Sequence, residues 1–420
     1  MNQFQSIQRI VLLMIVVSLI STSCSPLPQG PTAADILGNP NYQAISYGGY
    51  RAISRDTVPS IDQIIDDMRI LSAMDIKILR TYNTELAELP NLLEAITELK
   101  QEDSSFEMYV MVGAWINCKD AWTDHPDHTQ EDEAYNEAEV QRAVQYAKQY
   151  PDIIKMIAVG NEAMVHWATS YFVPPSVILK WVNYLQELKR KGDLPSDLWI
   201  TSSDDFAAWG GASDNYHTED LNRLIAAVDF VSMHTYAFHN SHYSPDYWYS
   251  RDPSLSKIEQ IDASMQRAGE FAIGQYNDVK QYILSLGIDK PIHIGETGWA
   301  TASNGFYGAE GSQAADEYKS KKYYDFLRKW SNENGVSCFY FEAFDEPWKD
   351  AENPMGSENH FGLFTVDGKA KYALWRSVDK GIFSGLTRNG NTIEKTINGN
   401  EDKLLVSVLP PIAPKKDINK

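Results

Sequence analysis

The sequence contains little cysteine: Cys24, Cys118 and Cys338 are the three examples in 420 residues. No C-x-x-C pair or His/Cys cluster accompanies them, which argues against a structural zinc site. We therefore expect neither a metal nor a cofactor. Cys118 and Cys338 lie far apart inside apolar or aromatic segments, which favours two buried free thiols. One disulfide in an oxidising compartment is the alternative.

Positive charge is also scarce, because 37 Lys and Arg stand against 57 Asp and Glu, a formal net charge of −20 at pH 7. Nucleic acids and anionic membrane surfaces bind proteins through clustered Lys and Arg. The charge balance therefore argues against both as partners. The chain is instead rich in aromatic residues, with 11 Trp and 23 Tyr. Aromatic rings fill protein cores, and they also stack on sugar rings and apolar ligands.

Long apolar runs are missing, and the N-terminal run over residues 10–20 has only eleven residues. It is too short to span a bilayer as a helix, but it follows Arg9 and is typical of a signal peptide. Cys24 comes after small residues and resembles the lipidation site of bacterial lipoproteins, although Ser21 departs from the usual aliphatic residue. Ordinary secretion with a coincidental cysteine is the alternative.

These features predict a signal peptide over residues 1–23, then a lipidated Cys24 and a linker rich in Pro and Gly over residues 24–40. We expect an extracytoplasmic lipoprotein and a monomer. It would be held at a bacterial membrane, for which we expect the outer membrane, only through this lipid. A catalytic domain is predicted over residues 41–385. The tail over residues 386–420 is mostly polar, and we assign it no function.

Apolar strand patterns and helical patterns alternate through the predicted domain. Eight nearly continuous apolar strands separated by helices are typical of a parallel sheet covered on its outer face. The fold class is therefore α/β, and the count favours a (β/α)8 barrel with enlarged βα loops. A doubly wound open sheet is the alternative, but no G-x-G-x-x-G turn follows the first strand. The strands are expected near residues 44–50, 76–82, 107–115, 153–159, 198–203, 228–233, 291–295 and 335–344.

Polar and aromatic residues recur where these strands end. The carboxyl ends of barrel strands form the catalytic face of such folds, so we expect these side chains to lie around one cleft. Carboxylates, amides and aromatic rings together suit a ligand with many hydroxyl groups. The residues at the strand ends include Arg80, Tyr82, Asn83, Trp115, Asn117, Asn161, Glu162, Ser203, Asp204, His234, Tyr236, Glu296, Trp299, Glu342, Asp345, Glu346 and Trp348.

Glu162 and Glu296 each follow a strongly apolar strand, where an unpaired carboxylate would be costly. Two carboxylates that flank a glycosidic bond can supply a proton on one side and a nucleophile on the other. Arg80 and Tyr236 suit the role of keeping Glu296 ionised. Asn161, directly before Glu162, suits a hydrogen bond to the sugar 2-hydroxyl.

Five segments in order along the chain resemble glycoside hydrolase family 17, the β-1,3-glucanase family among the retaining (β/α)8 glycosidases. The segments are LRTYN at 79–83, VGNE at 159–162, GETGW at 295–299, FDEPWK at 344–349 and ENHFGLF at 358–364. The resemblance implies that Glu162 is the general acid/base and Glu296 the nucleophile. It also implies a polar network of Glu346, Lys349 and Glu358 beside the acid/base, for which a surface salt-bridge cluster is the alternative.

Two segments depart from the expected pattern of plant members. Residues 117–135 form a longer stretch that contains Trp122, and residues 239–256 are rich in aromatic residues. Trp299 and Trp348 are predicted to be sugar-binding platforms, because both lie at strand ends beside the proposed catalytic pair. Substrate-binding roles are thus predicted for Arg80, Tyr82, Asn83, Asn161, Tyr236, Trp299, Glu346, Trp348, Lys349 and Glu358.

The resemblance implies a retaining endo-β-1,3-glucanase that acts on laminarin-type glucan through a covalent intermediate on Glu296. The two carboxyl groups should then lie about 5–5.5 Å apart. A β-1,3-glucan transglycosylase with the same residues is one alternative, and a non-catalytic surface glycan-binding lipoprotein is another. A related glycosidase that acts on mannan or mixed-linkage glucan is a third.

Overall fold

Eight parallel strands close into a barrel in the computed structural model, which describes residues 30–249, 252 and 254–412. Each strand pairs with its neighbours in the chain, and β8 pairs back onto β1 between Tyr340 and Ile45. The predicted (β/α)8 barrel is therefore confirmed. Its strands are β1 (Gln43–Ser46), β2 (Ile76–Arg80), β3 (Tyr109–Ala114), β4 (Ile154–Asn161), β5 (Trp199–Asp205), β6 (Val231–His234), β7 (Ile292–Gly298) and β8 (Cys338–Phe341).

Helices follow the strands and cover the outside of the barrel. The helix after β1 begins at Ser60, whose Oγ accepts a hydrogen bond from the Gln63 N–H while the Gln63 side chain accepts one from the Ser60 N–H. The α-helices are Ala33–Ile36, Ile61–Ser72, Glu88–Glu102, Glu133–Gln149, Pro175–Lys191, Glu219–Ala227, Ala237–Tyr243, Lys257–Ser285, Glu317–Asn334, Trp375–Asp379 and Glu401–Ser407.

The barrel strands are buried along almost their whole length, and every residue of β3 and β7 is buried. This follows from a parallel sheet whose outer face packs on helices and whose inner face packs on itself. Small polar residues line part of the interior. The Cβ that Gly295 lacks would lie 2.0 Å from Ser232 Oγ, so β7 approaches β6 closely at this position.

Part of the segment predicted as a linker is folded. Ala33, Ile36 and Leu37 are buried in one apolar cluster with Met111 and Phe339 of the barrel strands. The apolar residues in this stretch are few, but the barrel supplies the surface on which they pack. The linker predicted over residues 24–40 is thus packed on the barrel from residue 33 onward, whereas the predicted signal peptide and Cys24 lie outside the described residues.

The C-terminal segment also packs on the barrel. Thr387–Arg388 and Asn391–Thr392 form a short hairpin, and the helix Glu401–Ser407 buries Leu404. Arg388 is fully buried, and its Nε lies 2.9 Å from Oδ1 of Asp67, which is also fully buried. A buried ion pair of this kind requires a defined position for both partners, so this part of the tail belongs to the folded unit.

Cys118 and Cys338 are both buried and free, which agrees with the favoured prediction of two separate thiols. Along the described ranges, none of the helices has the length and the apolar content that crossing a bilayer requires.

Candidate active site

Glu162 and Glu296 lie together at the carboxyl ends of the barrel strands. Glu162 directly follows β4, and Glu296 lies within β7. One carboxylate oxygen of each residue and one ring nitrogen of His234 all lie within 4.8 Å of one another. The backbone of Glu162 has φ = +48°, a left-handed conformation that is uncommon for a residue with a side chain. Such strain is found where the position of a side chain matters for function.

Glu296 accepts hydrogen bonds on both of its carboxylate oxygens. The Tyr236 hydroxyl donates to Oε1 over 2.6 Å, and the Tyr82 hydroxyl donates to Oε2 over 3.0 Å. The Arg80 guanidinium forms an ion pair with Oε2. Burial opposes ionisation of Glu296, but the surrounding positive charge and the Tyr236 hydroxyl outweigh it and hold the pKa of Glu296 at about 2. His234 would add to that charge only when protonated, so Arg80 is the main cation.

Glu162 has the opposite electrostatic environment. Burial raises the pKa of Glu162 well above its usual value, and the negative charge of Glu296 raises it further. His234 Nδ1 lies 2.9 Å from Glu162 Oε1, while its Nε2 lies 2.8 Å from Ser203 Oγ. Burial lowers the pKa of His234 to about 3, so this ring is neutral at neutral pH. One carboxyl of the pair is therefore protonated and the other ionised, which is the division of roles that acid catalysis beside a nucleophile requires.

Arg80 connects the two halves of the site. It is 1% exposed, and its Nη2 donates a hydrogen bond to Oδ1 of Asn161 while its Nη1 donates to the Gly295 carbonyl over 3.1 Å. Since the Asn161 oxygen is already occupied by Arg80, its amide N–H groups are the part that can meet a ligand. The Arg80 charge is paired with the Glu296 carboxylate, as a buried cation needs, although its Nε has no hydrogen-bond partner among the described residues.

Lys349 forms an ion cluster on another side of Glu296. Its Nζ lies 2.9 Å from Glu342 Oε2 and 3.0 Å from Glu346 Oε2. Burial alone would lower the pKa of Lys349, but these two carboxylates raise it. Trp348 Nε1 donates to Glu346 Oε1 over 2.9 Å. The cluster thus fixes both the charge and the position of this wall of the cleft.

The cleft consists of two cavities that meet at the catalytic pair, and Glu296 and Phe341 line both. We call the cavity of about 390 Å³ the smaller lobe and the cavity of about 980 Å³ the larger lobe. The smaller lobe is lined by Tyr82, Asn83, Asn161, Glu346, Trp348 and Lys349, among others. The larger lobe is lined by Glu162, Trp167, Tyr236, Tyr243, Phe306 and Glu358, among others.

This arrangement divides the polar network that the resemblance implied. Glu346 and Lys349 line the smaller lobe, whereas Glu358 lines the larger lobe with Glu162. Glu342, and not Glu358, completes the ion cluster around Lys349. Burial raises the pKa of Glu358 and the charge of Lys349 opposes this rise, while Glu358 adds to the rise of the Glu162 pKa, so the predicted members still interact across the two lobes. Glu358 lies 196 residues after Glu162 in the chain, and its partners depend on how the loop after β8 folds back.

Trp299 does not line the cleft. It is 0% exposed, and its Nε1 donates a hydrogen bond to the Ala314 carbonyl over 2.8 Å. Its ring packs against those of Phe238 and Trp248. The prediction of a sugar platform at Trp299 is wrong, because this ring belongs to the core between β7 and its helices. Trp348 does line the smaller lobe.

His234 is one of the strand-end residues expected around the cleft, but its role beside Glu162 was not predicted from the sequence. It ends β6, so its place at a strand end was visible, but its contact with Glu162 depends on the alignment of β4 and β6 around the barrel. The oxygens of Glu162 and Glu296 and the nitrogen of His234 are close enough to hold a cation. A metal would need ionised carboxylates, whereas Glu162 is held protonated and Arg80 already neutralises Glu296.

Known proteins show the same fold and a related sequence. The crystal structure of an endo-laminarinase from Formosa Hel1_33_131 is 62% identical and superposes with a TM-score of 0.90, over 93% of this chain and 100% of that one. A protein of Aspergillus niger named as a glucan endo-1,3-beta-glucosidase, btgC, is 24% identical over 71% of this chain and 37% of its own length. The glucan 1,3-beta-glucosidase of Schizosaccharomyces pombe is 24% identical over 74% of this chain and 80% of its own length.

The chain spans about two fifths of the length of the btgC relatives that it matches. The similarity lies in the barrel, and residues 44–362 match the sequence model of the BtgE/BtgC glycoside hydrolase domain. This range includes Glu162 and Glu296. It also covers all eight barrel strands, apart from Gln43 at the start of β1. The chain therefore belongs to the BtgE/BtgC glycoside hydrolase domain family and is a glycoside hydrolase.

Proposed function

We propose that this protein is a retaining endo-β-1,3-glucanase that cleaves laminarin-type glucan, with Glu162 as general acid/base and Glu296 as nucleophile. One observation carries the proposal. The carboxyl groups of Glu162 and Glu296 lie at the junction of the two lobes, with one oxygen of each within 4.8 Å of the other. The pKa of Glu162 is raised and that of Glu296 is lowered. This proximity fits the separation of about 5–5.5 Å that retaining enzymes use, since inverting enzymes keep the groups about 6.5–9.5 Å apart.

The first step forms a bond between a Glu296 carboxylate oxygen and the anomeric carbon, while the bond to the leaving oxygen breaks. The proton of Glu162 moves to that leaving oxygen. In the second step ionised Glu162 takes a proton from water, whose oxygen attacks the anomeric carbon and releases Glu296. His234 remains neutral throughout, so its ring can accept a hydrogen bond from protonated Glu162 and, in the other tautomer, donate one to ionised Glu162.

The two lobes then receive different parts of the substrate. Because Glu162 must reach the leaving oxygen and lines the larger lobe, we assign the larger lobe to the aglycone. Asn161 lines the smaller lobe and presents its amide N–H groups there, so we assign the smaller lobe to the glycone. A chain with space on both sides of the cleaved bond is cut internally, which supports endo action.

The β-1,3-glucan substrate is supported by the name of the Formosa enzyme, an endo-laminarinase with 62% identity over nearly the whole chain. Membership of glycoside hydrolase family 17 is part of the proposal and is supported by the five segments that resemble that family. The exported, lipid-anchored state also belongs to the proposal and depends on residues 1–24. Labelling with a fatty-acid analogue tests it, since Cys24→Ser should abolish the label.

A glucan transglycosylase is the second candidate. The larger lobe is lined by exposed aromatic side chains at Trp167, Tyr243 and Phe306. Such a lobe can retain a sugar acceptor after the leaving group departs, and its hydroxyl would then replace water in the second step. Product analysis at high oligosaccharide concentration separates the two, because a transferase makes products longer than the starting chain.

Incubation with laminarin, curdlan, lichenan and mannan, with product sizes and anomeric configuration read over time, tests the proposal. We expect a ladder of β-1,3-oligosaccharides from laminarin, released first in the β configuration. Release in the α configuration would overturn the mechanism, and cleavage of mannan alone would overturn the substrate. Binding of laminarin without any cleavage would favour a glycan-binding lipoprotein.

A further inference from the structure

A hairpin on the catalytic face carries an aromatic side chain that the catalytic mechanism does not use. Its strands, Cys118–Lys119 and Asp127–Glu131, enclose a turn that presents Trp122. The side chain of Trp122 is 61% exposed, although it lines the smaller lobe together with Trp115. An exposed aromatic ring that lines a cleft offers its face to a ligand.

Two other rings support Trp122. Its ring stacks on Tyr171 with centroids 4.8 Å apart and an interplanar angle of 24°. Trp115 lies 5.1 Å from Tyr171 and 6.2 Å from Trp122, so the three rings form one aromatic wall. Trp115 Nε1 donates to Asn117 Oδ1 over 2.8 Å, which fixes the innermost ring. The wall is thus assembled before any ligand arrives.

The backbone of Trp122 provides a second, independent indication. It has φ = +64°, a left-handed conformation in which glycine is favoured and a bulky residue is a clear outlier. Glu162, the proposed acid, has the same uncommon conformation with φ = +48°. Strain of this kind persists where the surrounding structure imposes it, and it is found mainly at functional sites.

The hairpin is held in this conformation by the neighbouring loop after β4. The Trp122 N–H donates to the Ser170 carbonyl over 2.9 Å, and His128 Nε2 lies 2.7 Å from the Thr169 carbonyl. That loop also begins at Glu162 and contains Tyr171. The aromatic wall and the acid are therefore positioned by one continuous segment.

We propose that Trp122 is a sugar-stacking platform that binds a glucosyl unit of the glycone side of β-1,3-glucan, away from the cleaved bond. This inference rests on the proposed function and specifies how the enzyme selects long chains. Stacking uses the apolar face of a sugar ring against an aromatic face. Lys349, a cation that lines the smaller lobe, is already paired with Glu342 and Glu346, so it does not require an anionic ligand. A rigid platform loses little conformational entropy on binding, which favours affinity.

Trp122→Gly is the test variant, because glycine removes the ring and tolerates φ = +64° without strain. Trp122→Phe keeps an aromatic face, and Leu284→Ala is the matched control, since Leu284 is 51% exposed and lines neither lobe. The measurements are kcat and KM on laminari-oligosaccharides of increasing length, and the midpoint of thermal unfolding.

We expect Trp122→Gly to raise KM about five- to tenfold on long oligosaccharides and to leave KM on the shortest cleaved substrate unchanged. Its kcat and unfolding midpoint should match those of the wild type, Trp122→Phe should recover most of the loss, and Leu284→Ala should change nothing. An unchanged KM at every length would overturn the inference, as would an equal loss at every length, which would indicate a structural role.

Titration of laminarin into the Glu296→Gln protein, with and without Trp122→Gly, separates the inference from the proposed function. Weaker binding in the double variant supports the platform whether or not the wild type cleaves laminarin. Cleavage by the wild type with equal binding in both proteins would overturn the platform and leave the glucanase proposal standing. Equal binding without cleavage would overturn both.

Discussion

The imidazole of His234 lies between Glu162 and Ser203, with Nδ1 2.9 Å from the Glu162 carboxylate and Nε2 2.8 Å from the Ser203 hydroxyl. Burial lowers the pKa of this histidine to about 3. A neutral ring therefore contacts the proposed acid, while the charged Arg80 contacts the proposed nucleophile. Burial and the negative charge of Glu296 keep Glu162 protonated, while Arg80 keeps Glu296 ionised, so the two carboxyl groups have different protonation states.

Removal of either carboxyl should abolish most turnover. Glu162→Gln and Glu296→Gln should each reduce kcat/KM on laminarin by several orders of magnitude, because proton transfer or covalent attack is lost. Glu187→Gln, on the outer helix Pro175–Lys191, is the matched control and should retain activity. Azide should rescue Glu296→Gly with a product of opposite anomeric configuration to that from Glu162→Gly. Identical configurations would contradict the assignment of roles.

The acid limb of the pH profile of kcat/KM should reflect the ionisation of Glu296. Its pKa is about 2, so it is ionised at all working pH values, and activity falls only as the pH falls toward that value. Tyr236→Phe removes a hydrogen bond to Oε1 that lowers this pKa, so the acid limb of kcat/KM should move to higher pH. A profile that keeps its acid limb unchanged would show that the Tyr236 hydroxyl does not stabilise the carboxylate.

The alkaline limb of the same pH profile should reflect the deprotonation of Glu162. Its carboxyl must be protonated for the first step, and burial raises its pKa, so activity should fall as the pH rises through that raised value. His234→Ala should shift this limb and lower kcat more than it raises KM, since the ring positions the acid and does not touch the sugar. An effect on KM alone would instead place His234 in substrate binding.

Folding stability should fall on acidification because buried histidines are neutral. Burial lowers the pKa of His293 to about 4, whereas an unfolded histidine binds a proton below its ordinary value of 6.5. The unfolded state thus binds more protons between these values, and the free energy of unfolding decreases as the pH falls through them. His293→Gln should remove up to about 3 kcal/mol of this decrease between pH 7 and pH 4. Denaturant titrations at several pH values measure it, and parallel curves for both proteins would contradict it.

The two predicted platforms should respond differently to truncation. Trp299→Ala should lower the free energy of unfolding by about 3–5 kcal/mol, because it removes a fully buried ring. Trp348→Ala should mainly raise KM, since Trp348 lines the smaller lobe and is only partly buried. Urea unfolding and initial rates on laminarin distinguish the two outcomes. A stable Trp299→Ala protein with raised KM would restore the original prediction.

Much of the fold could be predicted because its signals are local. Most barrel strands contain short apolar runs, and Ser60 marks a helix start through its own side chain. The places of Glu162 and Glu296 were also visible, since each carboxylate follows an apolar strand and the strand ends of a barrel share one face. These statements need only the order of the strands along the chain.

The errors concern the direction and the partners of side chains. Trp299 follows the nucleophile by three residues in the chain, yet its ring points into the core and meets Phe238 and Trp248. Residues 33–37 carry the composition of a linker, yet they are buried because the barrel offers them an apolar surface. Neither outcome depends on the local pattern alone.

The sequence by itself determined the (β/α)8 class and pointed to Glu162 and Glu296 as the proposed pair, because hydrophobic periodicity and strand ends are properties of neighbouring residues. Only the tertiary structure decided which groups surround each carboxylate, how the cleft divides into two lobes, and where Trp122 and Trp299 direct their rings. The physical reason is that pKa shifts and cavities arise from atoms that are close in space and distant in the chain. Their positions follow from the alignment of strands around the barrel and from the loops that cover its catalytic face.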